Sequence, residues 1–172
     1  DLLLEAVLTD GSNEILLAAR KGKCVRFNEE LVRPIGRTGT GVRGISIEDD
    51  DEVVGMICAN TDSEFIERNQ ILVVSENGYG KRSPIDDYRV TNRGAKGVKT
   101  INITEKTGEL SSIKLVNDDN DLMIINKSGI TIRLAVSDIR VAGRATQGVR
   151  LINLRENDSI AAVCVVEKSE TM

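Results

Sequence analysis

The 172-residue sequence has no histidine and no tryptophan, only two tyrosines and two phenylalanines, two prolines and three cysteines. Each shortage removes a class of function. Without histidine there is no Ser-His or Cys-His pair and no imidazole to ligate a metal. The four rings, Phe27, Phe65, Tyr79 and Tyr88, are too few for the stacking platforms of single-strand and sequence-specific RNA binders. No apolar run approaches the roughly 18 residues that cross a bilayer, so no membrane partner is expected. Cys24, Cys58 and Cys164 lack CxxC spacing and sit in apolar, strand-like runs. They are expected to be buried and reduced, which suits the cytoplasm. No phosphate-binding GxxxxGK[ST] loop is present. Gly36-Arg37-Thr38-Gly39-Thr40-Gly41 precedes a strand-like run rather than a helix, so it lacks the helix N-terminus that holds a nucleotide phosphate. The acidic stretches from Glu48 to Glu52 and from Asn117 to Asp121 do not supply the ligand spacing of a calcium loop and read as solvated turns. No cofactor, metal or catalytic residue is expected.

What the sequence does have is a threefold repeat. Gly22, Gly78 and Gly129 are each followed nineteen residues later by Gly41, Gly97 and Gly148, and then by Val42, Val98 and Val149. Counted from the first glycine, the fourth position is Arg26, Arg82 or Arg133 and the eleventh Arg33, Arg89 or Arg140. The fifteenth is Arg37, Arg93 or Arg144, and the twenty-first Arg43, Lys99 or Arg150. All twelve of these positions are basic. A fixed internal register is the signature of a repeat architecture.

Runs of branched residues lead into each first glycine: Ile15–Ala19, Ile71–Val74 and Leu122–Ile125. Turns at Lys21-Gly22, Asn77-Gly78 and Ser128-Gly129 then predict antiparallel hairpins. A third strand is expected after the second glycine, over 42–47, 98–103 and 149–154. A fourth is expected ahead of each unit, at Ala6-Val7-Leu8, Val53–Cys58 and Ile113–Val116, with a last copy at Ile160–Val166. Repeat spacings of 56 and 51 residues fit four-stranded propeller blades, approximately 3–47, 52–104 and 110–166. The fold class is therefore all-β and propeller-like, with three blades forming an arc rather than a ring. Alternation places Arg43, Lys99 and Arg150 on the inward parity, so either a β-bulge near Arg43 and Gly44, the favoured reading, re-aims that position, or the side chain lies along the surface with only its stem buried.

Charge is segregated. The three modules 22–43, 78–99 and 129–150 carry +10, whereas the remaining 106 residues carry −14, giving the net −4. Rows of arginine repeated by rotation suit a polyanion, because the guanidinium fork donates two hydrogen bonds to a phosphate. The expected DNA contacts are the twelve repeated positions together with Lys81 and Lys96. Two competing readings are that the arginines hold blade to blade as ion pairs, and that the basic edge docks an acidic protein.

Three segments carry a family resemblance: Arg37-Thr38-Gly39-Thr40-Gly41-Val42-Arg43-Gly44-Ile45, Asn77-Gly78-Tyr79-Gly80-Lys81-Arg82 and Gly143-Arg144-Ala145-Thr146-Gln147-Gly148-Val149. Across nearly the whole chain the sequence resembles the C-terminal DNA-wrapping domain of the DNA gyrase A subunit, in particular the last three of its six blades. The resemblance implies a β-pinwheel, a propeller variant whose adjacent blades exchange strands. It further implies binding and bending of duplex DNA, with the remaining blades, the N-terminal part of the gyrase A subunit and the gyrase B subunit as partners. By the same resemblance the setting is ATP-dependent negative supercoiling in the bacterial cytoplasm, at the nucleoid. The family's Gln-Arg-Arg-Gly-Gly-Lys/Arg-Gly heptapeptide has only a partial counterpart, Thr91-Asn92-Arg93-Gly94-Ala95-Lys96-Gly97, and Tyr79 and Tyr88 inherit no catalytic role.

Overall fold

The computed structural model describes residues 2–168. The first repeat supplies β1 (Glu14–Ala19), β2 (Lys23–Asn28) and β3 (Val53–Ala59), and a helix, α1 (Ser63–Arg68), leads into the second. The second supplies β4 (Gln70–Ser75), β5 (Tyr79–Pro84), β6 (Val98–Lys99) and β7 (Leu110–Val116). From the third come β8 (Asn120–Asn126), β9 (Thr131–Ala135), β10 (Val149–Arg150) and β11 (Ile160–Glu167).

The hairpins form where the branched runs predict them. Gly22, Gly78 and Gly129 adopt φ of 91°, 86° and 90°, the left-handed region that favours glycine. Their amides donate back to the carbonyls of Ala19, Ser75 and Asn126 at 2.9, 3.0 and 3.0 Å, closing each turn.

Strand order departs from the sequence expectation in an informative way. The sheets run β3-β1-β2-β6, β7-β4-β5-β10 and β11-β8-β9. Each expected opening strand thus closes the repeat before it: Val53–Ala59 pairs with β1, Leu110–Val116 with β4 and Ile160–Glu167 with β8. Ala6-Val7-Leu8 forms no strand. The strand after the second glycine is two residues long, and it is donated backwards. β6 pairs with β2, and β10 with β5. Val42–Ile47 forms no strand; the donated position would pair it with a hairpin of a preceding repeat, and the described residues before Glu14 form no hairpin.

The expected bulge near Arg43 is also absent; register irregularities fall instead between Ala18 and Ala19, Val74 and Ser75, and Ile160 and Ala162. Lys99 faces outward because its strand ends there. Thr100 and Ile101 bend inward and are buried.

Apolar side chains fill the spaces between neighbouring sheets. Leu16, Ile57, Ile71 and Ile113 join with Tyr88 in one cluster, and Leu72, Val74, Leu122 and Ile160 in the next. β3 packs on β7 and β7 on β11, so these strands form the inner edge, and β2/β6, β5/β10 and β9 the outer edge. Of the three cysteines only Cys24 is fully buried, with its thiol pushed up to about 12 by desolvation. Cys164 is exposed because it has the opposite parity to buried Val163 on an edge strand. The helix α1 was not expected from periodicity; Asp62 caps it by accepting from the amides of Glu64 and Phe65.

Candidate nucleic-acid interface

The four basic positions of the repeat divide into two that build the arc and two that face solvent. The fourth position is structural. Arg26 is 6 % exposed, ion-paired to Glu14, and donates to the carbonyls of Ile85 and Tyr88 at 3.1 and 2.8 Å. Arg82 is 7 % exposed, paired to Asp118, and donates to Gln70 at 3.0 Å and to the carbonyl of Ile139 at 2.7 Å. Each reaches from its own hairpin into the short turn that follows the hairpin of the next repeat. Arg133, in the last of the three repeats, is exposed and holds Asp121 at 2.8 Å.

The fifteenth position does the converse. Arg93 donates backwards to the carbonyls of Leu31 and Arg43 at 3.1 and 2.6 Å, and Arg144 to those of Asp87 and Lys99 at 3.0 and 2.5 Å. These acceptors occupy equivalent positions one repeat apart. Arg37, in the first of the three repeats, is exposed and forms no hydrogen bond or ion pair among the described residues. The expectation that all four positions line one solvent-facing row is therefore corrected: at the seams, Arg26, Arg82, Arg93 and Arg144 spend their donors on backbone carbonyls of a neighbouring repeat.

Lys81 is corrected likewise. Its side chain is 1 % exposed, and its ammonium donates to the carbonyls of Gly143, Arg144 and Thr146. Burial, with repulsion from Arg144 adding to it, lowers the Lys81 ammonium to about 8. Sequence alternation misses this burial because the residue itself is charged; the equivalent positions hold Val25 and Ile132, and their apolar character was the available signal.

Arg33, Arg89 and Arg140 are exposed and unpaired among the described residues, as are Arg43, Lys96 and Lys99. Arg150 is exposed and donates to the Tyr79 hydroxyl at 2.8 Å, with its guanidinium 5.4 Å from the ring centroid. Lys99 and Arg150 lie on the donated strands of the outer edge, and the eleventh position lies on the segment leading to them. The acidic turn at Asn117–Asp121 is less idle than it reads in sequence: Asp118, Asp119 and Asp121 take Arg82, Arg68 and Arg133 respectively.

A cleft of about 760 Å³ is lined by Ile15, Leu17, Phe27 and Met56 of the first sheet and by Val42. On the second and third sheets the corresponding face packs against a neighbouring sheet, so the cleft reads as a packing face. The described residues hold no cluster of three or more metal-ligating side chains.

Three stretches, 13–60, 69–117 and 120–167, match the family described as DNA gyrase C-terminal domain, beta-propeller. The chain belongs to that family. The matched bounds follow the observed sheets, each running from a hairpin to the strand that closes it. The DNA gyrase A subunit of Staphylococcus aureus strains is 46 % identical over 168 residues, 98 % of this chain and 18 % of that protein. The chain thus spans under a fifth of these relatives. Among solved structures, the C-terminal domain of DNA topoisomerase IV superposes with a TM-score of 0.85 at 23 % identity, over 94 % of this chain and 49 % of that one. A DNA gyrase A C-terminal domain gives 0.79 at 26 %, over 88 % and 50 %. The family domain is all-β and propeller-like, and in this chain backward strand donation forms its seams.

Proposed function

We propose that this domain binds duplex DNA without sequence preference along its outer edge and bends it, as part of a bacterial gyrase A subunit. It acts with the rest of that subunit and with the gyrase B subunit in ATP-dependent supercoiling at the nucleoid. One observation carries the reading: after the seams have consumed four arginines, Arg33, Arg37, Arg43, Arg89, Lys96, Lys99 and Arg140 remain exposed and unpaired among the described residues, with Lys99 on the donated strand of the outer edge. Exposed, unpaired cations on an otherwise acidic protein make a local attractive field. Near absence of aromatic residues directs that field to the phosphate backbone of a duplex. Topoisomerase chemistry itself is assigned to the remainder of the gyrase A subunit and to its B counterpart.

Equilibrium binding to two unrelated duplexes across a salt series tests this. Both duplexes bind with equal affinity, and log K falls linearly with log salt at about −0.9 per phosphate neutralised. Replacing Arg33, Arg89 and Arg140 together by glutamine reduces that slope by about 2 to 3. Absence of binding to either duplex at low salt rejects the reading in favour of a protein-docking edge.

A further inference from the structure

Each exchanged strand meets its host hairpin through two directly opposed residue pairs on the outer edge. At the first seam the exposed pair is Lys23 and Lys99. The amide of Thr100 donates to the carbonyl of Gly22 at 2.8 Å, which makes Lys23 and Lys99 a non-hydrogen-bonded pair, the kind whose side chains stand closest. Like charges directly opposite destabilise a sheet. Yet both lysines are exposed, and neither holds an anion among the described residues. Glu48 and Asp51, which share a cleft with Lys23 and Lys96, are already engaged. Glu48 takes the Lys21 ammonium at 2.9 Å, and Asp51 takes the amides of Lys21 and Glu52 at 3.0 and 2.9 Å.

The second seam repeats the arrangement with different side chains. Arg150 stands directly opposite Tyr79, whose hydroxyl it holds at 2.8 Å, and the Lys106 ammonium lies 5.5 Å from the centroid of the same ring. The other side-chain partner of Arg150 is the neutral Asn153, and Lys106 has no carboxylate partner among the described residues. Asp158 shares their cleft but already accepts from the Asn126 amide and the Ser128 hydroxyl at 2.7 and 2.8 Å. Two cations again converge on an outer-edge seam, and neither is ion-paired among the described residues.

We propose that the strand-exchange seams are phosphodiester seats: Lys23 and Lys99 jointly hold one DNA phosphate, and Arg150 with Lys106, steadied by Tyr79, hold another one repeat further along. The seats deepen the DNA-binding reading and rest on it, and they add Lys23 and Lys106 to the contacting residues. They also give DNA a second effect. A phosphate between Lys23 and Lys99 removes the repulsion across a two-residue strand, so binding tightens the joint between repeats.

Lys23→Gln and Lys23→Glu, with Lys114→Gln as a control on the inner-edge strand β7, test this by DNA affinity across salt and by thermal midpoint without DNA. Lys23→Gln lowers the salt slope by about 0.9, the loss of one phosphate contact, while Lys114→Gln leaves it at the wild-type value. Lys23→Glu lowers DNA affinity further, yet raises the DNA-free midpoint by about 1–3 °C at low salt, a gain that disappears at high salt. Stability and affinity moving in opposite directions is the diagnostic result. A wild-type slope for Lys23→Gln overturns the seat while the DNA reading stands. Midpoints that fall together with affinity make Lys23 a structural support and overturn the seat as well. A wild-type chain that binds no duplex removes both readings.

Discussion

Arg26 and Arg133 occupy the same position of the repeat and have opposite surroundings. Removing Arg26 strands the buried Glu14 carboxylate and two carbonyls of the next repeat. Arg26→Met is expected to cost about 3–5 kcal/mol, the range for breaking a buried pair from one side. Arg133→Met, on an exposed pair, costs about 0–1 kcal/mol. Chemical denaturation of the two variants measures the contrast. Lys81 adds a pH signature. Its ammonium is lowered to about 8 in the fold from an ordinary 10.5. Between those values the unfolded chain binds more protons than the native one, so the contribution of this group to stability rises with pH through that window and is lost as pH falls through about 8. Lys81→Met leaves three carbonyls without their donor and is destabilising at neutral pH, by about 1–3 kcal/mol. Relative to Lys81→Met, the wild type gains stability from about pH 8 to 10 in denaturation series, where a constant gap contradicts the shift.

At the scale of the element, the second glycine of the repeat shows what the donated strand requires. Gly97 and Gly148 hold φ of 78° and 79°, and a Cβ on either would sit 2.4 or 2.5 Å from a backbone carbonyl oxygen of the host strand, that of Cys24 or Gly80. Gly41 has φ of 84° but no atom within 4 Å of a Cβ. Gly41→Ala is expected to cost about 1–2 kcal/mol of backbone strain alone. Gly97→Ala adds a clash with rigid backbone, a further ~1–3 kcal/mol, and weakens β6 pairing. Amide exchange at Lys99 and Thr100 reads out the difference. The same element marks the limit of what was legible in the sequence. Hairpins, glycine turns and the basic register are local patterns, and they were readable as such. Which hairpin receives Val98-Lys99 is a non-local choice between two equally compatible edges, and only the family resemblance pointed to exchange. Burial of Arg26 was encoded more faintly: Val25 and Phe27 flank it, and Glu14 lies diagonally across the hairpin register, where a charge partner is in reach. Periodicity assigned all twelve basic positions one role because alternation cannot distinguish an edge that faces water from one that a neighbouring repeat covers.

For the whole molecule, these pieces make a one-dimensional array in which each joint has its own bolts. The first joint is held by Arg26 and Arg93, the second by Arg82 and Arg144 with Lys81, and each by an apolar cluster shared between its sheets. Stability in such arrays is the sum of each unit and its interfaces. Among the described residues the third sheet has three strands and no donated one, which makes it the least supported unit of the three. With both joints intact, the three sheets are expected to unfold in one transition. Combining Arg82→Met with Arg144→Met removes the guanidinium contacts of the second joint and leaves the first untouched. Hydrogen exchange then shows β8, β9 and β11 losing protection at lower denaturant than β1 to β5, as a separate cooperative unit. Tyr88, buried in the first joint beside Thr100, keeps its native environment through that first phase. Uniform loss of protection across all three sheets would show instead that the apolar clusters alone couple the array, and that the arginines contribute position rather than cohesion.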